Sequence, residues 1–302
     1  MPPAVLVGAG IVSVQLGAGL AGRLFTEVPP AAVTGLRLWT SAVMLAAIGG
    51  RGLARTLQDV IRRRRWQDAA VAAAFGVTLA VMNFSIYQSF ARIPLGIAVT
   101  VEFLGPLAVA VATSRHLLDL LWVALAGLGV ALLADGGSTL AGGAAPGSRG
   151  GTGLAVSGIA FALVAAGSWA AYIKLSAATG RRLAGSSGLV IAMVIAALVV
   201  TAPAVAAGHA ALLRPGVLAA GAVIGLLSSV IPYRFELEAL QRIPARVYGI
   251  WVSLAPAVAA LIGLILLSES LAAREWAAVG CVVVASAGAS RGAAASAQAP
   301  QA

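Results

Sequence analysis

The chain has 302 residues, of which 60% are hydrophobic and only 10% charged, with a mean hydropathy of +0.98. Soluble domains carry about 25% charged residues, so the composition excludes an ordinary globular domain and points to a membrane. The net charge of +10 would suit nucleic acid, but the basic residues fall in short loops between apolar runs and leave no basic, aromatic-interleaved domain.

Ten apolar runs follow one another, at residues 4–22, 31–49, 69–87, 95–113, 118–134, 153–173, 188–208, 216–234, 245–267 and 272–290. Each is close to the roughly 20 residues that cross a bilayer as a helix. The first has no basic leader and other spans follow it, so it reads as a transmembrane helix and not a cleaved signal. It holds Gln15, a polar residue with no local partner. The second holds Arg37, seven residues past Pro30, and the third holds Asn83 and Tyr87.

The loop Arg92-Ile93-Pro94 leads into the fourth span, which contains Glu102 and Pro106. Beyond the fifth span a Gly-rich linker, 136–152, divides the chain. The sixth span carries Ser168, Trp169 and Tyr172, the eighth Ser229 and Tyr233, and the ninth Ser253 and Pro256. Past Arg291 the composition is Ala, Gly, Ser, Gln and Pro, which predicts a disordered tail over 292–302.

The division is a duplication. Arg242-Ile243-Pro244 repeats Arg92-Ile93-Pro94 after 150 residues, and Pro256 repeats Pro106 at the same offset. The expected fold is all-α and integral to the membrane, with ten helices in two five-helix repeats, 1–135 and 153–291. Five spans per repeat means that the second copy enters the bilayer from the opposite side, so the repeats are inverted. Fourteen of the twenty basic residues lie in the even-numbered loops, at their span edges (Arg234 and Arg246) or in the tail. By the positive-inside rule, both termini are expected in the cytoplasm of a plasma or inner membrane. The run Arg62-Arg63-Arg64-Arg65 reads as a topology anchor on anionic lipid.

Glu102 is the sharpest functional candidate. An acid inside a span costs roughly 2.5–3.5 kcal/mol on insertion scales. It lies eight residues past Pro94, about 12 Å down the helix at 1.5 Å per residue, and Arg37 and Asn83 fall at a similar depth. Three readings stand. Glu102 takes up and releases a proton or binds an ammonium group, it forms a fixed ion pair with Arg37, or Arg37 snorkels to the interface. Tyr87, Tyr172 and Tyr233 fit interface anchors or a central cavity, whereas Trp169 sits well inside its span and is placed to line one. Gln15, Ser229 and Ser253 suit interhelical hydrogen bonds or substrate contact. Pro106 and Pro256 are expected to kink their helices by removing a hydrogen bond.

One cysteine, Cys281, and two separated histidines make no metal cluster, and no cofactor motif or P-loop occurs. No span interior holds the Asp pair or Ser/His pair that an intramembrane enzyme would need. The expected partners are a small-molecule substrate, protons and lipid, and a monomer is compatible with the sequence.

Several stretches resemble the drug/metabolite transporter superfamily in its EamA-type branch, and within it the threonine/homoserine exporter group. They are Met82 to Tyr87, Arg92 to Val99, Glu102 to Pro106, Ser228 to Tyr233, Arg242 to Arg246 and Leu266 to Leu271. The sequence departs from the group at Ala255, where an acid usually precedes the proline, and at Arg234-Phe235. The resemblance implies export of amino acids or related small metabolites, driven by the proton gradient through alternating access. Broad efflux of drug-like compounds, or uptake, is the alternative within the superfamily.

Overall fold

The computed structural model describes residues 1–62, 66–113, 119–134, 152–183 and 187–296, and among them it is helical with no strand. The helices are α1 (Pro3–Leu24), α2 (Pro30–Arg62), α3 (Trp66–Phe90), α4 (Leu95–Glu102), α5 (Leu104–Thr113), α6 (Asp119–Ala134) and α7 (Thr152–Arg182). There follow α8 (Ser187–Gly208), α9 (Pro215–Gly225), α10 (Ile231–Leu240), α11 (Ala245–Val252), α12 (Ala255–Leu267) and α13 (Ala273–Ser296). Helices α1, α2 and α9 begin on prolines, whose missing N–H costs nothing in a first turn. Eight helical stretches of the described residues are long and apolar enough to cross a membrane, and a ninth, Leu121–Leu133, is shorter. The chain is a multi-pass membrane protein.

Several elements differ from the sequence expectation. Helix α2 runs on to Arg62 where the sequence predicts a loop beyond residue 49; no proline interrupts 50–62, and Gly50 and Gly52 weaken a helix without ending it. The eighth span continues past residue 234 to Leu240. The last helix reaches Ser296, well into the tail expected to be disordered. The Gly-rich linker up to residue 151, the Arg63–Arg65 part of the basic run and the end of the tail lie outside the described residues.

The fourth and ninth spans are each two helices. The first breaks at Phe103, between α4 and α5, and the second at Ser253-Leu254, between α11 and α12. Both breaks fall two or three residues before a proline, Pro106 or Pro256. Lacking an N–H, each proline leaves the carbonyl four residues earlier, that of Glu102 or Val252, without its helical donor. The preceding loops match as well. The N–H groups of Arg92 and Ile93 donate to the Ser89 carbonyl at 2.8 and 3.0 Å, and those of Arg242 and Ile243 donate to the Ala239 carbonyl at 2.9 Å each. The two Arg-Ile-Pro loops and the two breaks thus match in local structure.

Packing interleaves the two halves. Helix α3 packs on α7, and α10 packs on α1; α4 and α5 also lie on α7, as α11 and α12 lie on α1. Helix α2 pairs with α8, and α6 with α13. The main apolar core centres on α1 and α4, with Leu6, Ala21, Ile97 and Ala98 almost fully buried. With no water to expel inside a bilayer, such packing depends on close approach of small residues. Gly96 of α4 is so near α12 that a Cβ there would fall 2.6 Å from the Ala260 Cα.

Beside this crossing the loop after α12 turns back. Ser268 adopts φ 58°, and the N–H of Glu269 returns to the Gly263 carbonyl at 3.1 Å. The Glu269 side chain, only 4% exposed, accepts the N–H of Leu95 at 2.8 Å. A carboxylate from the second half thus caps the first turn of α4, where free N–H groups and the helix dipole favour an anion.

Burial pushes the Glu269 carboxyl up to about 7 from an ordinary 4.5, while the Leu95 N–H pulls the other way. Between those values the folded protein holds a proton that the unfolded chain has released. The stability linked to this group is therefore present at low pH and falls as pH rises through that window. Thermal unfolding of detergent-solubilised protein at a series of pH values from about 5 to 8 should show this decline. Glu269→Gln, which keeps an acceptor for Leu95 but cannot ionise, should make it shallower; an unchanged slope would count against this linkage.

Candidate functional site

Polar residues gather around a π-helical turn, Leu226–Val230, between α9 and α10. Pro232 follows it and brings no N–H to the preceding turn, so carbonyls are left open. Side chains from other helices take them up. The Ser13 hydroxyl of α1 donates to the Leu227 carbonyl at 2.7 Å, and an Arg37 Nη of α2 donates to the Ser228 carbonyl at 3.4 Å. The Thr40 hydroxyl, 2.8 Å from its own helix's Leu36 carbonyl, also lies 3.1 Å from the Gly221 carbonyl, and the Ser41 hydroxyl shares a hydrogen bond with that of Ser229 at 2.9 Å and lies 3.3 Å from the Gly225 carbonyl.

Arg37 is held on further sides. Its other Nη donates to the Oδ1 of Asn83, whose amide nitrogen is anchored on the Leu79 carbonyl at 2.8 Å. Its guanidinium carbon lies 5.2 Å from the Tyr87 ring centroid, a cation–π distance. These bonds make Arg37 a fixed cation rather than a snorkelling one. Three buried polar atoms beside it have no protein partner: the Nε of Arg37, the hydroxyl of Tyr87 and the Oγ of Ser228. Buried polar groups are nearly always paired, and all three residues line one cavity of about 160 Å³.

Glu102 lines the same cavity, together with Gln15, Met82, Phe90, Val99 and Trp169. As the last residue of α4 it sits at the negative end of a helix dipole, which disfavours a second negative charge there. Neither of its oxygens lies within 4.0 Å of a cationic nitrogen; among the described residues Arg182–Asp68 and Arg242–Glu238 form such pairs. The cavity thus combines a guanidinium committed to the protein with a carboxylate that is not. A second cavity of about 250 Å³ adjoins it, sharing Gln15, Glu102, Trp169 and Ser228 and adding Tyr172, Tyr233, Glu236 and Tyr248. A third, of about 520 Å³, shares Tyr172, Tyr233 and Glu236 and continues to Gly180, Gly188 and Leu240 at the helix ends.

The structure therefore brings Glu102, Arg37, Asn83, Tyr87, Gln15 and Trp169 together, with Tyr172 and Tyr233 one cavity further on. Ser229 and Ser253 stand apart from this group. Ser229, 1% exposed, is bonded to Ser41, and its neighbour Ser228 faces the cavity instead. Ser253, also 1% exposed, donates to the Ile250 carbonyl at 2.6 Å and lines a separate cavity of about 170 Å³ with Pro106. Glu236 is the residue that the sequence reading passes over. It lies one helical turn beyond Pro232 and three residues after Tyr233, a spacing that shares one helix face, but a span ended at residue 234 puts it in a loop. No group of three or more His, Cys, Asp or Glu gathers among the described residues.

The EamA-like transporter family matches residues 156–291. Over 287 residues the chain is 35% identical to the threonine/homoserine exporter RhtA of Escherichia coli (strain K12), covering 95% of this chain and 90% of that protein. It is 33% identical over 286 residues to RhtA of Salmonella typhimurium (strain LT2), with the same coverage. A protein of known crystal structure shares the fold at a TM-score of 0.61 and 18% identity, over 94% of this chain and 95% of that one.

The different settings of Arg37 and Glu102 separate their effects on stability. Arg37→Met strands the Asn83 and Ser228 acceptors, at about 1–3 kcal/mol for each buried group left unpaired. Glu102→Gln breaks no bond within the protein. In detergent, Arg37→Met should lower the thermal midpoint by several degrees, and Glu102→Gln should leave it nearly unmoved. Equal losses would mean that Glu102 is as tightly built in as Arg37.

Proposed function

Because the chain belongs to the EamA-like transporter family, we propose that it is a secondary active transporter that exports threonine- or homoserine-like amino acids or related small metabolites. The carrying observation is the pairing of a fixed guanidinium with an uncommitted carboxylate in one small cavity. An amino acid offers the complement, a carboxylate for the open Nε of Arg37 and an ammonium group for Glu102. The Tyr87 and Ser228 hydroxyls stand ready for a side-chain or carboxylate oxygen. A cavity of about 160 Å³ is smaller than the roughly 300–1,000 Å³ of sites for drug-sized ligands, which favours a small substrate.

The uncommitted acid also supplies a coupling route. A carboxylate that binds an ammonium group must first lose its proton, and one that is protonated releases that group. A proton and a substrate thus compete for Glu102, so that one enters as the other leaves. This is proton antiport, with the inward proton gradient driving export. Arg37 and Asn83 orient the substrate, and Gln15 and Trp169 complete the wall.

Alternating access is supported by the architecture. The matching breaks at 103 and 253–254 and the reciprocal packing of the halves suit ten spans in two inverted five-helix repeats around a central site. Both termini then face the cytoplasm, as the charge distribution indicates, and the third cavity opens on that side. A second reading, efflux of larger drug-like compounds, is favoured by that third cavity, whose 520 Å³ and Phe75, Tyr172 and Leu237 lining fall within the drug-sized range.

Inside-out membrane vesicles with an imposed proton gradient test the proposal through uptake of labelled threonine and homoserine. The native protein should accumulate both, and Glu102→Gln should lose gradient-driven accumulation by at least tenfold. Vesicles that accumulate neither amino acid but do accumulate a drug-like control would overturn amino-acid export in favour of the second reading. Equal transport by both proteins would remove Glu102 from the coupling route.

A further inference from the structure

Glu236 is a second carboxylate on the cavity wall. It lines both the second cavity, which it shares with Glu102, and the third, which leads to the helix ends around Gly180, Gly188 and Leu240. Among the described residues no cation lies within ion-pair distance of it. Arg242, one turn and a half further along the chain, is engaged by Glu238 at 2.5 Å and by the Met1 carbonyl at 2.9 Å, and Arg234 is exposed. Tyr248 lines the second cavity together with Glu236. Tyr172 and Tyr233 line both the second and the third cavity with it.

A carboxylate set among three tyrosine rings and hydroxyls is the chemistry that receives an organic ammonium ion. The carboxylate supplies charge, the hydroxyl oxygens accept further N–H bonds, and the ring faces attract the cation. The substrate's own carboxylate has no guanidinium here, since Arg37 belongs to the first cavity. Binding at this point is therefore through the amine alone, and it is looser than at the central site.

We propose that Glu236, with Tyr248, Tyr172 and Tyr233, forms an entry station that binds the ammonium group of the substrate before it moves on to Glu102 and Arg37. This inference rests on the amino-acid reading above. It assigns the third cavity as the path of loading and gives the chain two ammonium-binding carboxylates in series.

The test uses the same inside-out vesicles, in which this mouth faces the medium. Initial rates are measured against homoserine concentration for native protein, Glu236→Gln, Glu236→Asp and Tyr248→Phe. Glu236→Gln should raise KM at least tenfold while kcat at saturation changes less than twofold, and Glu236→Asp, which keeps the charge, should restore most of the affinity. Tyr248→Phe should raise KM by a smaller factor. N-acetylhomoserine, which lacks the ammonium group, should inhibit native and Glu236→Gln protein alike, whereas the amine homoserinol should inhibit only the native protein strongly. An unchanged KM in Glu236→Gln would overturn the proposal. So would an effect confined to the pH dependence of kcat, which would mark Glu236 as a proton relay. Absence of amino-acid transport by the native protein would instead overturn the reading on which the proposal rests.

Discussion

Inside a bilayer no water is at hand for a backbone carbonyl released from a helix, so each one must find a protein donor or face a wet cavity. This chain opens its helices at three central places, after Glu102, around the π turn at 226–230, and after Val252. Where the freed groups find donors decides the architecture of the site. At the π turn the donors are Ser13 and Arg37, so that α1 and α2 are tied to the segment between α9 and α10, where Pro232 leaves the Ser228 carbonyl without its helical donor. Arg37 is drawn into the membrane by a defect in another helix and arrives with spare capacity at Nε. The guanidinium of the site thus follows from the imperfection of the eighth span.

The same constraint separates the two charges. Arg37 spends its Nη groups on Asn83 and Ser228 and rests on Tyr87, which keeps it in one place whatever occupies the cavity. Glu102 has no such ties, and a helix end that disfavours its charge makes it respond to whatever cation arrives. One rigid and one responsive charge suit a carrier better than a locked pair would, since a buried ion pair with mutually satisfied partners has little to offer a ligand. The matching loops sharpen the point. The offset of 150 residues between the two Arg-Ile-Pro sequences sets Glu102, the last residue of α4, against Val252, the last residue of α11, so one break follows a charge and the other a methyl-bearing side chain.

Much of this could be read before any coordinates. Depth in the membrane follows from counting residues at a fixed rise, and that count put Glu102, Arg37 and Asn83 at one level, where the structure has all three around one cavity. The repeated Arg-Ile-Pro and proline positions marked both breaks, because a missing N–H acts locally. What a count of residues does not carry is rotation about a helix axis. Choosing Ser229 over Ser228 is a single-residue slip of about 100°, and the π turn that sets the true facing comes from tertiary bonds that no local pattern encodes. Glu236 was hidden for a different reason. Arg234 looks like the end of a span, yet it is exposed at the edge of the bundle while the same helix carries Glu236 inward.

The interleaving of the halves bears on how the protein comes to exist. Helix α1 is covered by α10, α11 and α12, and α4 is capped by Glu269, so α1 lacks these neighbours until α12 has been inserted. The helices made before it must wait in the lipid, each individually stable as a span, until those partners arrive. Damage near residue 269 therefore reaches back to the packing of α4, and the biogenesis of this carrier joins segments that are made far apart in time.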